Sequence, residues 1–444
     1  MKLHKIVLGL AVALLLTGLA MVFGGKAPAS GPFFVAFFIA LAIGVRGWPT
    51  IKGLSYSVCI FAAVTASMFR PEYFTNIGDF KFKTLINPLL QIIMFGIGSQ
   101  MSFADFTGVI RMSKGVIIGV CAHYMIMPLA GFGIAHLFDF PPEIKAGIIL
   151  IGCVPSGLAS NVMSFISRAN LALAVTIGAI STLLSPLLTP FLMKKLGGGY
   201  IEVNFWGMML DILNLVILPI VAGFIFNLFS SKSETRQNMM AQLAGYLAIV
   251  IVTNLVFVQA KSASLAQFLS NFGRSMGWYY VLPMAGGATL RHTLKGNTEL
   301  MGRVLSLVSM TAIAFIITII TASGHESLRA VGILLIVTST LHNVAGYILG
   351  YSIAWLFGMA ERDRRTLAFE VGMQNGGLAS ALALNMGKVA TVGLAPAIFG
   401  PLMNVTGSAL ASWWRNRPPP GDDAASGGTP STGADMEKDE VTAS

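Results

Sequence analysis

The chain has 444 residues, 55% of them hydrophobic and 11% charged, and its mean hydropathy is +0.75. A water-facing domain carries roughly a quarter charged residues, so this composition excludes a typical cytosolic enzyme, a secreted disulfide scaffold and a disordered chain. The net charge of +10 sits mostly in short links between apolar stretches, which is the positive-inside distribution rather than a nucleic-acid-binding patch.

Apolar segments fall at 6–23, 32–46, 53–69, 84–101, 115–137, 144–166, 169–193, 205–229, 241–259, 276–290, 304–322, 328–357, 366–386 and 391–413. Segments of about 20 residues repeated along the whole chain predict an all-α polytopic membrane protein, with 32–46 and 276–290 short for a full crossing. If every segment crosses and Lys2 and Lys5 lie inside, the inner links also hold Arg111, Lys114, Lys232, Arg236, Arg362, Arg364, Arg365, Arg415 and Arg417. Lys145 and Arg329 fall outside. The excess is on the inner side, so both termini are expected in the cytoplasm and the protein in the cell membrane. Segment 6–23 also reads as a cleavable signal peptide, with a basic start and small residues at Ala27–Ser30. Cys59, Cys121 and Cys153 sit in apolar runs without metal-ligand spacing and are expected to be small core residues. The tail beyond Pro418 carries Asp422, Asp423, Asp435, Glu437, Asp439 and Glu440 against Lys438, with almost no large apolar residue, and is expected to be disordered.

One string echoes. Pro155-Ser-Gly-Leu-Ala-Ser160 returns as Asn375-Gly-Gly-Leu-Ala-Ser380, and each copy is followed by a segment with internal prolines, Pro186 and Pro190 or Pro396 and Pro401. The orientation count makes 144–166 run inward and 366–386 outward, as in an inverted-topology repeat whose interrupted helices mark a substrate and ion site.

Two acids fall inside apolar segments, Asp211 and Glu370. An ionised group at bilayer depth costs at least about 2.5–3.5 kcal/mol, so each needs a partner or a function. Asp211, with Asn214, lies near a predicted outer end, where solvation relieves the cost. Glu370 opens Glu-Val-Gly-Met-Gln-Asn-Gly-Gly, with Gln374 on its helical face and Gly372, Gly376 and Gly377 free to break the helix. A carboxylate, an amide oxygen and freed carbonyls form a hard-oxygen cage suited to an alkali cation. A buried ion pair with Arg or His elsewhere is the plainer reading. Ser160 and Asn161 close the first copy with neutral oxygens, equally able to serve as interhelical hydrogen bonds. His123 and His342-Asn343 read first as hydrogen-bonded core residues.

These strings resemble the bile acid:sodium symporter (BASS) family. The resemblance runs over about 51–229, through Ile92-Ile-Met-Phe-Gly-Ile-Gly98, Val116-Ile-Ile-Gly119, Gly152-Cys-Val-Pro-Ser-Gly157, Ala159-Ser-Asn-Val-Met163 and Ser181-Thr182. It resumes over about 304–416, through Leu341-His-Asn343, Gly346-Tyr347, Glu370-Val-Gly-Met-Gln-Asn375 and Asn404. It implies an inverted five-plus-five helix core with two discontinuous crossing helices, two sodium sites and a cavity for an organic anion. About four further segments remain, two within 1–50 and two within 230–303, with the acidic cytoplasmic tail at 417–444. The resemblance assigns Ser160, Asn161 and Glu370 to a first sodium site, and Glu370, Gln374 and the carbonyls of Val371 and Met373 to a second. It assigns Asn375 and Asn404 to the substrate. This chain departs at Ala174 and Gly178, where hydroxyls are expected and where Thr176 or Ser181 would be the nearest substitutes. It departs again at His123, where a glutamine is expected, and at Leu158 and Met403, which make the cavity more apolar.

The expected function is a secondary active symporter for an organic anion, a carboxylate, driven by sodium as a transported ion, with no organic cofactor and the lipid bilayer as surroundings. Proton coupling through His123 and Glu370 is the rival within the class, and a non-transporting sensor of the same fold the rival outside it. No nucleophile–base pair, metal-ligand set or phosphate loop lies near the expected breaks to support an enzyme. The specific anion and the oligomeric state stay open.

Overall fold

The computed structural model describes residues 2–48, 54–100, 114–230, 236–261, 264–293 and 298–419. Helices α1 (Lys2–Phe23) and α2 (Gly31–Val45) pack on each other and pass the chain to α3 (Leu54–Phe69). A two-residue hairpin pairs Asn76–Ile77 with Phe80–Lys81 and turns at Gly78, whose φ of 55° favours glycine. Then follow α4 (Ile86–Gly98), α5 (Lys114–Leu137), the short helices α6 (Pro142–Cys153) and α7 (Ala159–Ile166), and α8 (Leu171–Leu192). Helix α9 (Phe205–Ile212) continues through a wide π-type turn at Leu213–Ile217 into α10 (Leu218–Ser230). Helices α11 (Arg236–Lys261), α12 (Leu265–Met276) and α13 (Leu282–Thr293) precede α14 (Thr298–Ser323) and α15 (His325–Leu356). A second short pair, α16 (Glu361–Gly372) and α17 (Gly376–Asn385), leads to α18 (Leu394–Arg415).

Among the described residues seven helical stretches are long and apolar enough to cross a membrane, and four shorter apolar helices accompany them. With the two broken pairs and the 265–293 run, they coincide with the apolar segments marked from the sequence. The 276–290 segment is longer than expected because α12 precedes it. That helix places Leu265, Phe268, Leu269 and Phe272 on one side and Gln267, Ser270, Asn271 and Arg274 on the other, with no buried residue. An apolar-run criterion passes over such an interfacial, amphipathic turn of chain.

The packing is that of two five-helix units wound around each other. Helix α3 lies against α14 as α10 lies against α4, α8 packs on α9 as α18 packs on α3, and α6 meets α18 as α8 meets α16. Around α5–α8 and α15–α18 the larger of two core clusters runs through Met127, Ile149, Leu150, Phe369 and Phe399, all fully buried, and the smaller joins Val116, Ile177, Ala354 and Leu367. Burial corrects one expectation. Cys153 is buried, but Cys59 and Cys121 are exposed on the apolar outer faces of α3 and α5. A membrane helix is apolar toward lipid as well as toward its neighbours, so an apolar run does not identify the core side. Arg111, Lys232 and the tail from 420 onward lie outside the described residues.

Candidate functional site at the crossing of the broken helices

Helix α6 stops at Cys153 because Pro155 follows. The pre-proline residue Val154 adopts an extended conformation, φ −82° and ψ 160°, since proline disfavours the helical region for its predecessor. Helix α16 stops without proline. Gly372, Gly376 and Gly377 weaken the helix, Met373 is extended at φ −106° and ψ 120°, and Asn375 restarts the chain by accepting the Leu378 amide on its Oδ1 at 3.0 Å.

The two breaks meet each other. The Gly157 amide donates to the Met373 carbonyl at 3.0 Å and the Asn375 amide donates to the Pro155 carbonyl at 2.9 Å. They form an antiparallel bridge with Ser156 opposite Gln374. Two matching segments that pair antiparallel cross the molecule in opposite senses, which is the inverted relation the echo predicted. The register differs from the echo: the Gly-Leu-Ala-Ser strings are two residues out of step with the bridge, because the first break spans Val154–Leu158 and the second only Met373–Asn375. Gly157 is required by the close approach, since a Cβ there would lie 2.6 Å from the Gln374 carbonyl oxygen.

Breaking two helices at bilayer depth frees main-chain carbonyls that lipid cannot satisfy. Side chains from the flanking long helices take them. Thr189 of α8 donates to Cys153 O at 2.8 Å and Asn343 Nδ2 of α15 to Gly372 O at 2.8 Å, while Gln374, in the second break itself, donates its Nε2 to Val371 O at 2.7 Å. His123 is fully buried between the two segments, with Nδ1 2.8 Å from Glu370 O and Nε2 3.0 Å from Val154 O; a neutral ring donates to one of these carbonyls and a protonated ring to both. It reaches Glu370 through the main chain, not the carboxylate.

Glu370 is fully buried and stands in none of the ion pairs found among the described residues. Its Oε1 accepts from Ser160 Oγ at 2.5 Å, a hydroxyl that also lies 2.7 Å from Gly157 O. Its Oε2 has no hydrogen-bond partner among the described residues. Seven buried side-chain polar atoms are in that condition, and four of them lie on the segments that cross here: Glu370 Oε2, Gln374 Oε1, Asn161 Oδ1 and Ser164 Oγ. All four are oxygens. A buried carboxylate with unanswered oxygen neighbours is the donor set of a hard monovalent cation. Val371 and Met373 flank it, fully buried, with their carbonyls already holding Gln374 Nε2 and the Gly157 amide.

Of the residues expected at the substrate, Leu158 is 45% exposed at the start of α7, whereas Met403 is buried and its carbonyl accepts the Tyr347 hydroxyl at 3.1 Å. Asn375 and Asn404 are half-buried. Asn214 accepts from the Tyr279 hydroxyl on its Oδ1 and from Gln91 on its main-chain carbonyl, and Asp211 is half-buried one turn before it. His342 is a buried core residue bonded to Met127 O at 2.9 Å. Sequence reasoning missed Asn343 and Thr189 as carbonyl caps and Ser164 as an unpartnered hydroxyl, because each acquires its meaning from a segment far along the chain.

A family model described as the sodium bile acid symporter family matches residues 87–268. An uncharacterized sodium-dependent transporter of Bacillus subtilis (strain 168), YocS, is 32% identical over 374 residues, which are 84% of this chain and 94% of that protein. The chain belongs to the sodium bile acid symporter family. A probable chloroplastic sodium/metabolite cotransporter of Arabidopsis thaliana, BASS1, is 28% identical over 330 residues, 74% of this chain and 66% of that protein. The solved sodium proton antiporter MjNhaP1 of Methanocaldococcus jannaschii aligns over 87% of this chain and 98% of its own at a TM-score of 0.48 and 12% identity.

This symporter-family member is thus a multi-pass helical transporter of a sodium-dependent family. At the positions where it departs from the expected pattern, Ala174 is buried and Gly178 faces Glu370, whose Oε2 lies 3.6 Å from where a Cβ would stand. The nearest substitutes bond within their own helix: Thr176 donates to Ala172 O at 2.8 Å and Ser181 to Gly178 O at 2.9 Å.

Proposed function

We propose that this protein is a secondary active symporter that moves an organic anion, a carboxylate, across the cell membrane together with sodium, with both termini cytoplasmic. The observation that carries the reading is the fully buried Glu370 carboxylate at the junction of two broken helices, with Oε2, Gln374 Oε1 and Asn161 Oδ1 all lacking hydrogen-bond partners among the described residues. An ionised acid there is costly unless a cation joins it. Glu370 lies at the C-terminal, negative end of α16, while α7 and α17 aim their N-terminal, positive ends at the same junction. One junction therefore favours a cation on one side and an anion on the other. In this reading Ser160, Asn161, Glu370, Gln374 and the carbonyls of Val371 and Met373 hold sodium. Asn375 and Asn404 orient the carboxylate, and Leu158 and Met403 give the cavity an apolar wall. His123 stands between the two segments and carries a proton in the rival version of the mechanism.

Uptake of a panel of small and bile-acid-like carboxylates into proteoliposomes, with and without an inward sodium gradient, tests the proposal. Sodium-stimulated accumulation that Glu370→Gln abolishes is expected. Accumulation driven by a pH gradient and indifferent to sodium would favour proton coupling through His123 and Glu370. Binding of an anion without accumulation would favour a sensor.

A further inference from the structure

Resting on the reading of Glu370 as a cation site, we propose that Ser164 is a further ligand of that cation, supplying a hydroxyl from α7 where α8 presents Ala174 and Gly178. Ser164 is fully buried, and its hydroxyl has no hydrogen-bond partner among the described residues. That is unusual for a helical serine, which ordinarily donates to a carbonyl three or four residues back. Its neighbours follow the habit: Ser160 Oγ lies 2.7 Å from Gly157 O, Ser167 donates to Ser164 O at 3.1 Å, and Ser185 donates to Thr182 O at 2.7 Å.

The direction of Ser164 is set by its place on α7. It follows Ser160 by four residues and Asn161 by three, so on the helix surface it lies between their two directions, one turn farther along. Ser160 touches the Glu370 carboxylate at 2.5 Å, which fixes that face of α7 toward Glu370. Helix α8 packs on both α7 and α16 and comes close to Glu370 at Gly178, where it presents no side chain. Its hydroxyls at Thr176, Ser181 and Thr182 each donate to a main-chain carbonyl of α8 itself. A carboxylate oxygen on α16 and an amide oxygen and a hydroxyl on α7, all buried and without a hydrogen-bond partner among the described residues, thus remain on two helices that pack together, with α8 closest to the carboxylate at a glycine. A monovalent cation with a preference for several neutral oxygens around one carboxylate satisfies all three together.

The test uses the full-length purified protein in detergent, titrated with sodium chloride against choline chloride at constant ionic strength. Sodium-dependent thermal stabilisation and bound radioactive sodium are the readouts. Ser164→Ala is expected to raise the half-saturating sodium concentration about tenfold, the scale of losing one ligand interaction, with Ser164→Thr within about threefold of the parent. Ser167→Ala, which removes only a hydrogen bond internal to the helix end, is the control and is expected to bind as the parent does. Should Ser164→Ala fail to accumulate, Ser164→Cys keeps the volume and replaces the oxygen with a poor sodium ligand. Ser164→Ala or Ser164→Cys binding sodium like the parent, or weakened only as much as Ser167→Ala, overturns the assignment of Ser164 while leaving the cation site intact. A parent protein that shows no response to sodium removes the cation site itself.

Discussion

Replacing Gly157 by alanine probes the junction most directly. The added Cβ would meet the Gln374 carbonyl oxygen at 2.6 Å and its carbonyl carbon at 3.1 Å. Both are main-chain atoms, so no side chain can swing aside and the two breaks must separate by several tenths of an ångström. The bridging bonds, 3.0 Å from Gly157 N to Met373 O and 2.9 Å from Asn375 N to Pro155 O, are lost at a depth where lipid offers no replacement. An unpaired buried amide or carbonyl costs about 1–3 kcal/mol, so losing the bridge costs about 2–4 kcal/mol. If that cost falls on the sodium-bound junction, half-saturating sodium rises by roughly thirty- to a thousandfold. The measurement is sodium-dependent thermal stabilisation of the purified variant. Gly133→Ala serves as the control, because a Cβ there meets nothing within 4 Å. A Gly157→Ala protein whose sodium response stays within about threefold of the parent would mean that the bridge does not hold the ion site.

Three further outcomes follow from other parts of the molecule. Arg365 is buried with Nε donating to Glu361 at 2.8 Å and the guanidinium reaching Ser167 O, Trp414 O and Arg417 O at 3.0, 3.3 and 2.7 Å. Arg365→Lys cannot serve all four and is expected to cost about 2–4 kcal/mol, read as a lower denaturation temperature with sodium affinity preserved. Asn343→Leu leaves Gly372 O without its 2.8 Å donor and Thr406 without its 2.5 Å acceptor. It is expected to lower stability by about 1–3 kcal/mol and to weaken sodium binding. Near the start of α6, Lys388 and Thr391 hydrogen-bond Glu143 and hold its carboxyl below the ordinary value. A depressed acid stabilises the fold above its ordinary pKa of about 4.3 and loses that contribution as pH falls through the lowered value. The parent should therefore lose a small increment of thermal stability below about pH 4 that Lys388→Ala has already lost; identical acid profiles for the two would contradict this.

Much of the fold was legible locally. Runs of apolar residues are a property of contiguous sequence, and they placed every long helix, the interruption at Pro155 and the interruption among Gly372, Gly376 and Gly377. Glu370 stood out because a charge in such a run has no local compensation. Ser160, Asn161 and Gln374 were legible beside it as oxygen donors at helical spacing. The start of α12 was not, because its polar and apolar residues alternate around the helix. Nor were the exposed faces of Cys59 and Cys121, since lipid and protein neighbours demand the same apolar surface.

What the amino-acid sequence determined by itself is therefore which stretches enter the membrane, where two of them break, and that one carboxylate lies among oxygens at a break. Only the tertiary structure decided that the breaks bond to each other across more than two hundred residues of chain, in a register two residues off the repeated string. It alone decided that His123 faces carbonyls rather than the carboxylate, and that the Ser164 hydroxyl has no hydrogen-bond partner among the described residues. The division has one physical cause: helix formation and membrane insertion depend on near neighbours in sequence, whereas the answering of a buried polar atom depends on which distant backbone comes within hydrogen-bond reach.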